Sequence, residues 1–286
     1  MKRIISLISF VAIVIALLTG LLGCALAEPK TITAFCGSAS KPAMEEVAQA
    51  FTEKTGIKVY LTLGGSGTVL SQMKIAKEGD LYIPGSPDYM LIAERDGVVE
   101  PDSAKIVAYL VPAIVVQSGN PKNIQVLSDL AKPGIKVGIG NPESVCVGLY
   151  AFEILERNNL LEAVAKNIVT YAESCEKTAT LIALKSVDAI MGWDVFSKWN
   201  PGSMDTVYLK PEQLSRIAYI PVAVSKYSKD KDSASKFMDF LTSPEGQKIF
   251  GKWGYITTES EARKFAPNAE IGGEYKLPKN YKPLVK

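Results

Sequence analysis

Short β-favouring segments alternate with helix-forming segments along most of this chain, and loops rich in Gly and Ser join them. The strand-like run 32–35 is followed by the loop 36–40 and by apolar residues at helical spacing over 42–54. The alternating run 57–63 leads in the same way through the loop 64–68 into a second helical segment. Because strands that alternate with helices form parallel-rich sheets covered on both faces, the pattern predicts an α/β fold.

Two apolar segments interrupt this repeat, and each contains a proline, Pro112 and Pro221. Proline fixes φ and lacks an N–H, so it is kept out of central strand ladders and suits a chain that crosses between two lobes. The crossings divide the chain into lobe I (31–110 plus 222–286) and lobe II (111–221). They also predict a hinge about the two prolines. The alternative is that both segments are edge strands with incidental prolines.

The first 27 residues have the composition of an export signal: Lys2 and Arg3, then an apolar run, then small residues. The run is shorter than the roughly 20 residues that a membrane span needs. Residues 21–24 resemble a lipobox, in which Cys24 is acylated and anchors the protein to the outer face of the cell membrane. Ordinary cleavage after Ala27 is the alternative. Either route predicts an extracytoplasmic protein, periplasmic or membrane-anchored.

Composition limits the chemistry available to the chain. It has 32 basic and 30 acidic residues, and removal of Lys2 and Arg3 with the signal leaves equal numbers. A neutral chain is a poor nucleic-acid binder, because phosphate neutralisation dominates such affinity. There is no histidine, which excludes Ser-His-Asp triads, Cys-His dyads and imidazole metal sites. The composition therefore favours a binding protein without a cofactor over an enzyme.

Four residues fall where a loop gives way to a helix: Ser38, Ser66, Val147 and Cys175. A helix N-terminus exposes unpaired N–H groups and carries about half a positive charge. Several converging N-termini can therefore hold a dianion without Lys or Arg, and serine hydroxyls add donors. The alternative for Ser38 and Ser66 is that each merely caps its own helix.

Several segments resemble the molybdate- and tungstate-binding proteins of ABC importers. They are 35–40, 64–68 and 79–83 in the first part of the chain, and 140–143, 148–151, 219–224 and 241–250 in the second. The resemblance implies a two-lobed, type II periplasmic-binding-protein fold with a hinge of two crossovers. It also implies a monomer that captures a tetrahedral oxyanion in the cleft between the lobes and delivers it to the permease and ATPase of the importer.

The resemblance also implies which residues contact the anion. Ser38 and Ser66 match the two serines of the first lobe, Val147 matches a backbone N–H donor of the second, and Cys175 matches a further backbone donor. Met191 occupies a position where many members place an anion-binding tyrosine, so that hydroxyl is missing here. Simple tetrahedral binding of the anion is the expected mode.

Three cysteines, Cys36, Cys146 and Cys175, lie in the loops that the resemblance places around the cleft. Each is compatible with a small buried apolar residue, and two could form a disulfide. Thiolates prefer soft metals, so an alternative cargo is a thiophilic metal, a thiometalate or an iron–sulfur species bound by these cysteines. A thiol-based extracytoplasmic enzyme has the least support, because no base pairs with any cysteine.

Overall fold

The computed structural model describes residues 30–284, so the predicted export signal and Cys24 lie outside the described residues. The strands are β1 (Thr31–Gly37), β2 (Lys58–Gly64), β3 (Leu81–Ile83), β4 (Lys105–Leu110), β5 (Pro112–Gln117), β6 (Val137–Gly140), β7 (Ile168–Ala172), β8 (Ala189–Trp193), β9 (Met204–Tyr208), β10 (Arg216–Val224) and β11 (Glu270–Ile271). The helices are α1 (Lys41–Thr55), α2 (Ser66–Ala76), α3 (Pro87–Arg95), α4 (Cys146–Arg157), α5 (Leu161–Ala165), α6 (Cys175–Ala183), α7 (Phe196–Trp199), α8 (Lys231–Thr242), α9 (Pro244–Lys252) and α10 (Glu259–Ala262). In this part of the chain no helix is long and apolar enough to cross a membrane.

Residues 30–284 form two mixed sheets. The first has the order β11-β10-β3-β1-β2, with β4 paired to β10, and the second has the order β7-β6-β8-β5-β9. β1 runs parallel to β2 and β3, and β6 runs parallel to β7 and β8. The antiparallel pairs involve β10 in the first sheet and β5 in the second. The predicted parallel-rich α/β fold is confirmed.

The βα units form as the sequence predicts. α1 has a proline in its first turn and buries Val47 and Phe51 against the core. It stops at Gly56, whose φ of 72° places it in the left-handed region that a residue without a Cβ adopts easily. In each of these units the helix therefore begins just after the carboxyl end of the preceding strand.

The chain changes sheet at two places, and only one of them is where the sequence predicts it. Val111 alone separates β4 from β5, next to Pro112, as expected. The second change lies between Tyr208 and Arg216, because the whole of β10 belongs to the first sheet. Pro221 lies inside β10, where the register to β4 shifts after Ile220. A strand tolerates proline at such a bulge, so Pro221 does not mark the crossing. The lobe limits themselves stay a prediction.

The C-terminal segment, part of the range 222–286 that the prediction assigns to lobe I, has contacts near both sheets. Ala262, Ala266 and Ala269 pack in the hydrophobic cluster that covers the second sheet. Farther on, Glu274 forms two hydrogen bonds of 2.9 and 2.7 Å to Arg95 of α3. The segment therefore contacts elements of both sheets.

A buried ion cluster surrounds Arg216 at the start of β10, and this side chain is 4% exposed. Its guanidinium donates to both carboxylate oxygens of Glu153 on α4, at 2.6–3.2 Å. It also donates to Asp88 of α3 at 3.1 Å and to the Gly272 carbonyl at 3.2 Å. One cation therefore links α3, α4, β10 and the C-terminal segment.

Asp194 is hydrogen-bonded to Val111, the residue at which the chain first passes from one sheet to the other. Its Oδ1 accepts a hydrogen bond of 3.2 Å from the N–H of Val111, and its own N–H donates to the Val111 carbonyl at 2.9 Å. Burial raises the pKa of Asp194 to about 7. The Asp194 carboxyl therefore gains or loses its charge near neutral pH. It does so while hydrogen-bonded to Val111, where the chain leaves the first sheet.

We expect Asp194→Asn to change how stability depends on pH. The folded state holds the Asp194 proton more tightly than the unfolded state, so the stability that this group contributes falls as pH rises from about 4 to 7. Asparagine keeps an acceptor for Val111 and removes the charge. At pH 8 the variant should melt several degrees higher than the wild type, at about 2–4 °C per kcal/mol. Thermal melts at pH 5 and pH 8 check this, with exposed Asp239→Asn as the control. An unchanged pH slope in the Asp194 variant would contradict it.

We expect Arg216→Met to destabilise the fold strongly, because it leaves the Asp88 carboxyl buried without a cation. It also removes the buried one of the two cations that pair with Glu153, which are Arg216 and Arg157. Such a loss costs about 3–5 kcal/mol. The matched control is Lys105→Met, which breaks an exposed pair with Asp239 and should cost under about 1 kcal/mol. Urea denaturation measures both free energies of unfolding. Equal losses in the two variants would show that the cluster has no special role.

Candidate functional site

Four helical segments begin at one place between the two sheets. They are the 3-10 turn Ser38–Ser40 that leads into α1, and the helices α2, α4 and α6. They follow β1, β2, β6 and β7, which are parallel neighbours within their sheets. The carboxyl ends of parallel strands share an edge, so these helix starts converge there. We refer to this region (37–41, 65–68, 145–148 and 174–176) as the junction.

Ser38 lies at the junction and is 1% exposed. Its Oγ accepts a hydrogen bond of 3.2 Å from the backbone N–H of Glu176, in the first turn of α6. No side-chain cap is present at the 3-10 turn or at the start of α1. The hydroxyl of Ser38 therefore reaches from the first sheet to a helix of the second, instead of capping its own helix.

Ser66 has an equivalent position at the start of α2 and is also 1% exposed. Its Oγ accepts from the N–H of Gly85 at 3.0 Å, and its carbonyl accepts from the Tyr82 hydroxyl at 2.9 Å. α2 has no side-chain cap either. The helix-cap interpretation therefore does not describe either serine.

Sequence reasoning missed Tyr82 and Gly85, which hold Ser66 in place. A Cβ built on Gly85 would lie 2.6 Å from the Cys146 Sγ and 2.7 Å from the Ala39 Cβ, so only glycine fits between them. The signal that could have found this residue is the Pro84-Gly85 turn directly after β3. A close approach of this kind is a common reason for glycine at a site.

Cys146 and Cys175, the first residues of α4 and α6, are brought together. Their sulfur atoms are 3.4 Å apart, and their side chains are 0% and 2% exposed. Burial and the neighbouring Cys175 raise the pKa of the Cys146 thiol well above its usual range, although Ser66 and the Val147 N–H act in the opposite direction. Cys146 is therefore a neutral thiol, which does not repel an anion.

Cys36 does not join this pair in a three-cysteine site. Its Sγ faces the Ala34 carbonyl at 3.6 Å, and burial raises the pKa of its thiol. Within residues 30–284, no three His, Cys, Asp or Glu side chains lie close enough together to hold a metal ion. The structure thus groups two of the three cysteines that the sequence singles out.

Val147 and Met191 have different positions. Val147 is the second residue of α4 and lies at the junction, with its backbone N–H near the Cys146 sulfur. Met191 lies within β8, opposite Ile114 of β5, and packs in the cluster that covers the second sheet. An unbranched apolar side chain fills this core well, so the expected place of Met191 beside a ligand is not what the structure shows.

The charges at the rim of the junction are paired. Lys41 forms an ion pair with Glu176, and Lys177 forms one with Glu173. Gly67 also donates its N–H to the Ser144 carbonyl at 2.9 Å. Lys41–Glu176, Gly67–Ser144 and Ser38–Glu176 each connect the loops of the two sheets, so the junction is closed. Beside it lies a cavity of about 480 Å³ that includes Gly65, Ser144, Glu173 and Lys177 in its lining.

Comparisons with known proteins agree with this architecture. Residues 32–256 match the family model described as bacterial extracellular solute-binding protein. A putative ABC transporter substrate-binding lipoprotein from Bacillus subtilis is 26% identical over 229 residues, covering 79% of this chain and 86% of that protein. The molybdate-binding protein of Rhodobacter capsulatus is 25% identical over 235 residues, covering 81% of this chain and 90% of that protein.

A solved structure supports the fold. The sulfate-binding protein of Mycobacterium tuberculosis superposes with a TM-score of 0.73 at 19% identity, covering 85% of this chain and 94% of that one. An identity this low shows the two-lobed periplasmic-binding-protein fold and not the ligand. Because the family model spans most of the chain, the protein belongs to the bacterial extracellular solute-binding proteins, the ligand-capturing components of ABC transporters.

Proposed function

We propose that the protein captures a tetrahedral oxyanion, molybdate or tungstate, at the junction and delivers it to the permease and ATPase of an ABC importer. The observation that carries this proposal is the convergence of four helix starts on Ser38 and Ser66, where both hydroxyls are buried and neither caps its own helix. Helix N-termini with added hydroxyl donors are a chemistry suited to a dianion.

The junction contains several donors that could turn to an anion. Ser38 Oγ accepts from Glu176, so its hydroxyl still has its own proton to donate, whereas the Ser66 hydroxyl accepts from Gly85 and lies against the Cys146 thiol, a weak acceptor that an anion would replace. The first N–H groups of α4 and α6 have no carbonyl partner one turn earlier in their helices. That of Val147 faces the Cys146 sulfur and that of Glu176 donates to Ser38, and an anion would be a stronger acceptor for both. Burial strengthens all of these interactions, because the local dielectric is low.

The ion pairs at the rim of the junction leave the helix ends as the source of positive potential, so the site can favour an anion without an unpaired lysine. Lys41 is engaged by Glu176, so the positive potential at the junction comes from the helix ends. The raised pKa of Cys146 opposes a nucleophilic role, since a reactive cysteine needs a lowered pKa. This supports a binding function and gives no support to a thiol-based enzyme.

The proposal extends to the location of the protein. A lipid on Cys24 would hold the binding protein at the outer face of the membrane, next to the permease. The Bacillus subtilis relative is itself described as a lipoprotein. Mass spectrometry of the mature N-terminus tests this proposal: an acylated Cys24 supports the anchor, and a free Glu28 end refutes it.

We expect molybdate and tungstate to raise the melting temperature of the purified protein, because a ligand that binds only the folded state stabilises it. Sulfate, a dianion of the same shape, is the competitor to compare. Differential scanning fluorimetry across a concentration series measures the shift. No shift with any of the three anions would contradict the proposed function.

We expect the double change Ser38→Ala and Ser66→Ala to weaken oxyanion binding while the fold is kept. A hydrogen bond to a charged group contributes about 1.5–3 kcal/mol, so each lost hydroxyl should weaken binding about 10- to 100-fold. Isothermal titration calorimetry gives the Kd values, with Ser103→Ala as the matched control outside the junction. Unchanged affinity in the double variant would show that these hydroxyls do not contact the ligand.

A second candidate cargo is a thiophilic metal or thiometalate, and the observation that favours it is the Cys146–Cys175 pair with its 3.4 Å sulfur separation. Two thiols at that distance can bind one soft atom together. Anaerobic purification followed by metal and sulfide analysis tests this candidate. Cys146→Ser with Cys175→Ser should abolish the bound metal and Cys36→Ser should not; equal metal content in all variants would refute it.

A further inference from the structure

The topology of the second sheet places Cys146 and Cys175 next to each other. β6 and β7 are parallel neighbours, and each leads directly to one of the two helices that begin with these cysteines. The residues are 29 positions apart in the chain, and their sulfurs are 3.4 Å apart. Because both cysteines follow strands of the second sheet, a movement of the two sheets relative to each other leaves the pair intact. We call each sheet with the helices that follow its strands one half of the protein.

We propose that Cys146 and Cys175 are a modification site, a reversible disulfide that lowers the affinity of the junction for its oxyanion; this inference rests on the proposed function. In the reaction, which takes place when the loops of the first sheet have moved away and water reaches the sulfurs, one thiol loses its proton and attacks a low-molecular-mass disulfide, and the second thiol then displaces the mixed-disulfide partner. Two S–H bonds and one external S–S bond are consumed. One internal S–S bond and two external thiols are formed, and the oxidant is reduced by two electrons.

An exported protein meets the conditions for this reaction. Disulfides form and persist outside the cytoplasm, and reduction returns the pair to two thiols. Cys36 lies apart, with its Sγ toward the Ala34 carbonyl, so it is not the partner of either cysteine.

Access to the pair depends on the first sheet. The backbone of Gly85 covers the Cys146 sulfur so closely that an added Cβ would lie 2.6 Å from it. Ser66 lies against the same thiol. Gly85 and Ser66 follow strands of the first sheet, whereas the cysteines follow strands of the second. Separation of the two halves therefore exposes the thiols to an oxidant, and a ligand that holds the halves closed protects them.

The bond would also change the site. A disulfide places its sulfurs about 2.05 Å apart, so Cys146 and Cys175 must approach each other by more than 1 Å. These residues begin α4 and α6, and their movement displaces the N–H groups that face the anion. Two S–H donors disappear from the junction at the same time. The oxidised protein should therefore bind the oxyanion at least tenfold more weakly.

The experiment uses the mature protein treated with oxidised glutathione or with dithiothreitol, with and without molybdate. Peptide mapping under non-reducing conditions should show a Cys146–Cys175 cross-linked peptide after oxidation, and molybdate should slow its formation. Calorimetry should show the tenfold weaker Kd only after oxidation. Dithiothreitol should restore the original value. Absence of the cross-link, or equal affinity of the cross-linked and reduced proteins, would overturn the inference.

Variants separate the pair from the third cysteine. Cys36→Ser keeps the pair and should still respond to oxidant, whereas Cys36→Ser with Cys146→Ser should not; if the latter fails to fold, Cys36→Ser with Cys175→Ser replaces it. Each variant is compared with itself, reduced against oxidised. If the reduced protein binds none of molybdate, tungstate and sulfate, the proposed function fails and the switch with it. If the reduced protein binds and the oxidised protein binds equally well, only the switch fails.

Discussion

The position of α4 depends on the buried ion cluster around Arg216, and the junction depends on α4. Arg216 binds Glu153 in the middle of this helix and stacks over the ring of Tyr150, 4.4 Å from its centroid. Tyr150 lies one helical turn after Cys146, so the same contacts fix the end of the helix that lies at the junction. A buried cation with two carboxylates is costly to assemble and more costly to break. Its geometry therefore sets where the N–H groups of α4 point.

A site built from helix ends works by orientation and not by net charge. Residues 28–286 contain equal numbers of acidic and basic residues, and the charges of the rim pairs Lys41–Glu176 and Lys177–Glu173 cancel locally. The remaining positive potential comes from backbone dipoles, which burial protects from screening. A protonated Cys146 adds no negative charge to this field. The neutral thiol and the helix ends are therefore compatible with the proposed anion site.

Local patterns predict the βα units well, because apolar spacing and a stop such as Gly56 act within one element. The convergence of Ser38 and Ser66 also follows from the sequence, since each lies at the end of a parallel strand. The contact between Cys146 and Cys175 does not, because it depends on β6 and β7 being neighbours. The predicted crossing at Pro221 is wrong for a related reason. A proline in an apolar segment is compatible with a crossing and with a strand bulge, and only the strand pairing distinguishes the two.

The contacts across the junction bear on how a ligand closes the protein. Ser38 accepts from Glu176, Gly67 donates to Ser144, and the C-terminal segment joins Arg95 of α3 to Glu156 of α4 through Glu274 and Tyr275. These protein–protein contacts favour the closed arrangement by themselves. A ligand shifts the equilibrium only by the contacts it makes in the closed state beyond those in the open state. If the protein binds an anion at the junction as proposed, the donors that complete their bonds only in the closed state would determine how strongly binding is coupled to closure.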